Sequence, residues 1–241
     1  AQKMAMQGFE LYTTERFFVI EEVINCLHIE NVVHVENDNL IYGDIHSAFK
    51  RIARRDCMTL TRHNNNQCIG GVVYIPSQVA IRKYTDYLVD YCSGKNINDM
   101  DSLSDFAKKS EVAYAPVVPF NYEKEHRFES MDGHSWDGTY DKRAYCGNSK
   151  QGYIFDAAAL GQYIGGLPKN IEPGYSIGYI NQNCLYNCSF FNIEWEKKDQ
   201  GYVPYVSEGV DKYYVMNLHI HSKELHRYRS DNNELLKNTS M

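Results

Sequence analysis

The stretch that decides the fold is Val32-Val33-His34-Val35-Glu36-Asn37-Asp38, a short apolar run that ends in two carboxylates. Its β-branched residues favour a buried strand. Successive side chains of a strand point to opposite faces, so we expect Glu36 and Asp38 to emerge on the same side where the strand ends. Two such carboxylates can hold one cation, and hard oxygen ligands suit Mg²⁺ or Mn²⁺. The alternative is that these acidic residues begin a turn or cap the next helix.

Segments with helical periodicity alternate with short apolar runs around this stretch. Residues 13–16 precede apolar residues at helical spacing, which predicts a capped helix that begins at Thr13. The other predicted helices cover 44–55, 77–92, 96–109 and 155–164, and the predicted strands cover 32–35, 58–60, 69–75, 112–114, 189–195, 202–206 and 213–221. The alternation indicates an α/β fold with right-handed crossovers, in which a mixed sheet is flanked by helices.

A polar segment over 120–153, rich in glycine, aspartate and tyrosine, predicts irregular structure over a cleft. We expect one domain over residues 1–226. Its first part, 1–119, carries the candidate metal ligands, and its second part, 120–226, supplies the closing strands. A polar, frayed tail follows over 227–241.

Composition narrows the class of protein. The formal net charge of −6 over 241 residues disfavours broad contact with nucleic acid or an anionic membrane, and no stretch approaches the roughly 18 apolar residues of a membrane span. Seven scattered cysteines without a C-x-x-C pair indicate reduced thiols and a cytoplasmic location. Cys184 and Cys188 could be bridged or could line a core, and the second alternative is favoured.

Four short motifs occur in an order that resembles one known family. They are Glu36-Asn37-Asp38, Ile69-Gly70-Gly71-Val72-Val73-Tyr74-Ile75, Asn98-Asp99-Met100-Asp101-Ser102-Leu103 and Asn217-Leu218-His219-Ile220-His221-Ser222-Lys223. Each motif alone is weak, and their order makes the resemblance specific. Most of the chain is similar to glycosyltransferases with the GT-A fold, especially the glycogenin-like and galactosyltransferase-like members.

The resemblance implies a metal-dependent transferase that binds a nucleotide-sugar donor, most often a UDP-sugar, and a saccharide or glycoconjugate acceptor. Glu36 and Asp38 would bind Mn²⁺ or Mg²⁺. His219 or His221 would be the third ligand, and His221 is slightly favoured because it lies at the end of the predicted strand. Lys223 would contact a donor phosphate.

This chain departs from the family pattern at three places. Glu36 stands where the family has an aspartate, and Lys223 follows the histidines closely without an intervening glycine. The family also has a longer nucleotide-binding segment before its acidic motif, whereas 35 residues precede Glu36 here. We therefore expect that the sequence lacks part of that N-terminal segment.

Further residues are candidates for the donor and acceptor sides of the site. Asp99 and Asp156, each at a predicted helix start, could be a catalytic base or an N-cap, and a retaining enzyme needs no such base. Asn66 could hydrogen-bond a donor sugar, and Gly70 and Gly71 could let the backbone approach the ligand.

The predicted acceptor side contains aromatic rings on which a saccharide could stack. These rings belong to Trp136, Tyr140, Tyr145 and Tyr153, and Gln162 could line the same side together with Asp156. The alternative to a glycosyltransferase is a noncatalytic carbohydrate-binding module on the same scaffold. Metal-assisted phosphoester hydrolysis is a third candidate, although it usually requires more acidic or histidine ligands.

Overall fold

The structure is a computed structural model that describes residues 2–64, 66–91, 98–118, 152–168, 177–184, 187–208 and 211–232. Its helices are α1 (Gln2–Leu27), α2 (Ile45–Ile52), α3 (Gln78–Tyr91), α4 (Asp99–Lys109) and α5 (Leu160–Gly165). Its strands are β1 (Val32–Val35), β2 (Asn39–Ile41), β3 (Thr59–Arg62), β4 (Cys68–Ile75), β5 (Ala113–Tyr114), β6 (Tyr153–Ile154), β7 (Asn192–Lys198), β8 (Gly201–Glu208), β9 (Asp211–Val215) and β10 (Asn217–His219). Short 3₁₀ turns cover Cys188–Phe190 and Leu225–Tyr228. The described chain is a mixed α/β protein, which confirms the predicted class.

The strands form three sheets. The first has the order β1-β4-β3-β5 and is antiparallel except for the β3/β5 pair. The second pairs β10 with β2 in antiparallel register, and the third has the order β6-β9-β8-β7 with a parallel β6/β9 pair. Parallel pairing, which the predicted crossovers imply, is limited to these two pairs in the described ranges.

Strand β4 lies at the centre of the core and is buried on both faces. Val73 and Ile75 pack under α1, α3 and α4, whereas Val72 and Tyr74 face the opposite layer, where the Phe49 ring of α2 stacks on Tyr74 at 5.2 Å. Burial of both faces explains why β4 is a continuous apolar run instead of an alternating one. Each such buried side chain contributes about 1.5–3 kcal/mol to folding.

Helix α1 begins at Gln2, so the predicted start at Thr13 is wrong. Residues 2–11 are mostly good helix formers, and the helix continues through the threonine pair without a break. Thr14 is buried, and the Thr13 hydroxyl hydrogen-bonds to Asp99 of α4 instead of capping a helix. The threonines therefore serve helix packing.

The predicted helix over 155–164 is shorter in the structure. Residues 155–159 form a bend in which Ala158 has a φ of +66°, and α5 begins only at Leu160. The Asp156 carboxylate accepts hydrogen bonds from the backbone N–H groups of Ala159, Leu160 and Gly161 at 2.8–2.9 Å. These bonds stabilise the bend and satisfy donors at the helix N-terminus.

The predicted strand over 213–221 is two strands in different sheets, because β9 ends at Val215 and β10 begins at Asn217. The Asn217 amide accepts from the Asp156 N–H at 3.0 Å and donates to the Asp156 carbonyl at 3.1 Å. These bonds hold the chain where it leaves the third sheet. As a result β10 pairs with β2, which directly follows the acidic motif.

The described start of the C-terminal tail packs on the domain. The Tyr42 hydroxyl donates to the carbonyl of buried Tyr228 at 2.6 Å, and the Tyr228 hydroxyl donates to the Ile164 carbonyl at 2.7 Å. The expectation of a frayed tail is therefore wrong for residues 227–232.

All five cysteines in the described ranges are free, and Cys184 and Cys188 are buried, which confirms the favoured alternative for that pair. Among the helices of the described ranges, none has both the length and the apolar character that crossing a bilayer requires.

Candidate metal centre

Three separate segments bring the acidic motif and the late histidine together. Glu36 follows β1, and its N–H donates to the Gly71 carbonyl of β4 at 2.9 Å. Asp38 precedes β2, and its carbonyl accepts from the Ile220 N–H at 2.8 Å. His219 pairs with Asn39 in the β10/β2 register. Backbone hydrogen bonding thus fixes the relative positions of all three segments.

The side chains of these segments converge on one point. The Nε2 atom of His219 lies 3.0 Å from Asp38 Oδ1 and 3.3 Å from Glu36 Oε2. Two ligand atoms at right angles, each about 2.1 Å from one small cation, lie about 3.0 Å apart. Each of these two spacings suits a pair of ligands on one small cation, and without a cation the His219 Nε2–H faces both carboxylates.

Asp38 is also paired with Lys223. The Lys223 ammonium contacts Asp38 Oδ2, its side chain is 61% exposed, and its backbone is left-handed with a φ of +63°. Burial alone would raise the pKa of Asp38, but hydrogen bonds from His219 and Lys223 hold it well below its usual range. Asp38 is therefore ionised at neutral pH and available as a ligand.

The Glu36 carboxylate is held by an arginine that the sequence pattern did not identify as a site residue. Arg16 of α1 donates to Glu36 Oε1 at 2.7 Å and to Asp99 Oδ2 at 2.5 Å. Glu36 thus uses one oxygen for Arg16 and the other for His219. Burial raises the pKa of Asp99, and the Arg16 charge opposes that rise. The described contacts make Asp99 the partner of Arg16, and its proposed role as a base stays a prediction.

The two glycines of β4 provide space for side chains of the centre. A Cβ at Gly70 would overlap the Arg16 guanidinium and the Asp99 carboxylate. A Cβ at Gly71 would lie 2.8 Å from His219 Nδ1. The close approach that the sequence suggested for a ligand is thus made by the protein's own groups, and contact with a donor stays a prediction.

Asp156 contacts the backbone of His219, and both oxygens of its carboxylate accept hydrogen bonds. Besides the N–H groups of Ala159, Leu160 and Gly161 it accepts from the His219 N–H at 3.0 Å. Burial raises its pKa, and these four donors oppose the rise. A Cβ at Gly161 would overlap the His219 carbonyl, so α5 packs directly on β10. The described contacts give Asp156 a positioning role, while its role as a base stays a prediction.

His221 lies beside His219, with ring centroids 4.3 Å apart. Its Nδ1 lies 2.9 Å from Gln162 Nε2, and burial lowers its pKa to about 3, with a further contribution from His219. Asp38, His219 and His221 each offer one possible ligand atom, and these three atoms all lie within 4.8 Å of one another. His219 contacts both carboxylates and both histidines belong to this group, so the expectation that His221 is the third ligand stays a prediction.

The remaining candidates in the described residues, Asn66 and Tyr153, have local hydrogen-bond partners. Asn66 is exposed, and its N–H donates to Asn64 Oδ1 at 2.8 Å within the loop, so binding of a donor sugar there stays a prediction. Tyr153 is buried, and its hydroxyl donates to the Ala48 carbonyl at 2.9 Å, which removes its ring from any open stacking surface. The other predicted stacking rings, Trp136, Tyr140 and Tyr145, lie outside the described residues.

Comparison of the chain with protein-family models, with curated proteins and with solved structures finds no match in any of the three. Carboxylates such as those of Glu36 and Asp38 suit Mg²⁺ and Mn²⁺, and an imidazole suits transition metals such as Zn²⁺ and Fe²⁺.

Proposed function

We propose that this chain is a metal-dependent glycosyltransferase that moves a sugar from a nucleotide-diphosphate donor, with a UDP-sugar as the favoured donor, to a hydroxyl of a saccharide or glycoconjugate. The observation that supports the proposal most is that oxygens of Asp38 and Glu36 lie 3.0 Å and 3.3 Å from His219 Nε2. These residues come from the ends of three strands. Their type and order also resemble the metal site of GT-A-fold enzymes.

The proposed transfer breaks the bond between the anomeric carbon and the diphosphate oxygen, and the electron pair stays on that oxygen. The acceptor hydroxyl oxygen forms the new bond to the anomeric carbon, and its proton passes to the departing diphosphate oxygen. Negative charge therefore grows on the diphosphate, and a divalent cation would stabilise that charge electrostatically.

The residues of this chain would contribute to the same stabilisation. Glu36, Asp38 and His219 would hold the cation, and the Lys223 ammonium beside Asp38 would supply a second positive charge near the phosphates. Arg16 would hold Glu36 in place through the oxygen that does not face His219.

Turnover of a panel of UDP-sugars by the purified chain, with and without Mn²⁺, tests this function. We expect slow donor hydrolysis that requires Mn²⁺ and is lost in Asp38→Asn. The matched control is Asp44→Asn, because Asp44 only caps α2 through Ser47 and asparagine is an equally good N-cap. Saccharide binding without nucleotide binding would instead favour a noncatalytic carbohydrate-binding module.

A further inference from the structure

A chain of hydrogen bonds leads from a backbone N–H to the second histidine of the centre. The N–H of Asn183 donates to Asn181 Oδ1 at 2.9 Å. Asn181 Nδ2 donates to Gln162 Oε1 at 2.8 Å, and Gln162 Nε2 lies 2.9 Å from His221 Nδ1. This network connects the loop 177–184 with α5 and with the residue just beyond β10.

The direction of every bond in this network follows from its first member. A backbone N–H can only donate, so the atom of Asn181 that faces it must be the amide oxygen. The Asn181 amide nitrogen then faces Gln162, which must accept through its oxygen and present its own nitrogen to His221. His221 Nδ1 therefore accepts a hydrogen bond, and the ring hydrogen lies on Nε2.

This Nε2–H has no partner in the described part of the chain, although the atom is buried. A buried donor without an acceptor is costly, so a ligand that brings an acceptor to it gains affinity. The His221 ring lies against His219 at a centroid distance of 4.3 Å, and one of its nitrogens lies within 4.8 Å of a ligand atom of Asp38 and of His219. A nitrogen that carries hydrogen cannot offer a lone pair to a metal, and the hydrogen of His221 cannot move to Nδ1 while Gln162 donates there. The Nδ1 atom of His219 has no hydrogen-bond partner in the described residues, so its ring hydrogen can move there and free Nε2 for a cation.

We propose that His221 is a hydrogen-bond donor to a phosphate oxygen of the bound nucleotide and is not a ligand of the cation. This inference rests on the proposed function for the identity of the oxygen. The network through Gln162 and Asn181 makes both residues positioning residues, since it selects the tautomer of His221. His219, with its Nε2 between two carboxylates, remains the metal ligand.

The tautomer is measured directly in long-range ¹H–¹⁵N spectra of the histidine rings of the metal-free protein, with His221 assigned among the nine histidines through His221→Gln. We expect hydrogen on Nε2 in the native chain. Asn181→Asp tests the network, because a carboxylate accepts from the Asn183 N–H but cannot donate to Gln162. The Gln162 amide must then reverse, and His221 must carry its hydrogen on Nδ1. Gln162→Glu, which also can only accept, is a second variant with the same expected outcome.

Binding separates the donor role from the ligand role. In His221→Phe we expect Mn²⁺ alone to bind within about threefold of the native affinity, and UDP in the presence of Mn²⁺ to bind about 10- to 100-fold more weakly. His221→Gln should recover part of the UDP affinity, because its amide nitrogen reaches near the position of Nε2. His34→Gln is the matched control, since His34 on β1 is another partly buried histidine whose buried Nε2 has no partner in the described residues.

The outcomes distinguish this inference from the proposed function. Hydrogen on Nδ1 in the native protein, an unchanged tautomer in Asn181→Asp, or loss of Mn²⁺ binding in His221→Phe overturns the inference. Absence of Mn²⁺ and UDP binding in the native protein overturns the proposed function instead. The tautomer measurement needs neither ligand and remains decisive for the network in that case.

Discussion

Substitution of Gly71 by alanine tests whether the position of the His219 ring decides cation binding. A Cβ at this position would lie 2.8 Å from Nδ1 and 3.0 Å from Cε1 of His219, whereas ordinary contact begins at 3.4 Å. The ring must therefore move by about 0.6 Å, because the β4 backbone is held in the centre of a sheet. Coordination distances tolerate deviations of about 0.2 Å. We expect the displacement to lower Mn²⁺ affinity about 10- to 100-fold, which corresponds to about 1.4–2.8 kcal/mol.

Isothermal titration of Mn²⁺ into the native and Gly71→Ala proteins measures this loss, and thermal unfolding checks that both are folded. Gly43→Ala is the matched control, because a Cβ there meets only the flexible end of Met216 at 3.1 Å. We expect the control to bind Mn²⁺ like the native protein. Native-like affinity in a folded Gly71→Ala protein would refute the reasoning, since it would mean that the position of His219 does not matter.

Three further substitutions test the supporting contacts. Asp156→Asn offers one acceptor oxygen to four backbone donors, so we expect the free energy of unfolding in urea to fall by about 2–4 kcal/mol. An unchanged free energy of unfolding contradicts the positioning role. Arg16→Met leaves buried Asp99 without its positively charged partner and should lower the free energy of unfolding by about 3 kcal/mol, and Arg16→Lys should lower it less. Equal stability of the native protein and both variants contradicts this. Hydrogen bonds from Lys212 and other neighbours lower the pKa of Glu196 from 4.5 to about 2, so its stabilisation is present above pH 4.5 and lost towards pH 2. In acid titrations Glu196→Gln should lose stability less steeply across that range, and parallel curves contradict the assignment.

The placement of the two carboxylates could be predicted because it depends on local strand geometry. Glu36 and Asp38 follow β1 with the spacing of two that puts both on one side, and the structure brings both to His219. The continuous apolar run of β4 likewise predicted a buried strand. Local periodicity decides such features, and the rest of the chain does not change them.

The choice between the two late histidines could not be made from local pattern. The sequence over 213–221 looks like one strand, and the break at Met216 depends on the bonds between Asn217 and Asp156, 61 residues away. That break makes His219 the last residue of β10. Pairing between distant segments therefore brings His219 into contact with both carboxylates.

The role of Arg16 was also beyond prediction. The residue precedes buried Phe17 in an amphipathic helix, and a lone arginine there reads as an ordinary surface charge. Its hydrogen bonds to Glu36 and Asp99 depend on the packing of α1 against α4 and on the space that Gly70 leaves because it has no Cβ. The bend at Asp156 could not be predicted either. Hydrogen bonds from backbone N–H groups to the Asp156 carboxylate form there in place of the first turn of the predicted helix.

The central claim is that Glu36, Asp38 and His219 hold one divalent cation. Electron spin-echo spectroscopy of Mn²⁺ added to the protein tests it most directly, because the spectrum reports an imidazole nitrogen coordinated to the ion. The account predicts one bound Mn²⁺ per chain with a coordinated nitrogen that disappears in His219→Gln and persists in His221→Gln. A bound ion without nitrogen coordination, or a coordinated nitrogen that persists in His219→Gln, would contradict the account.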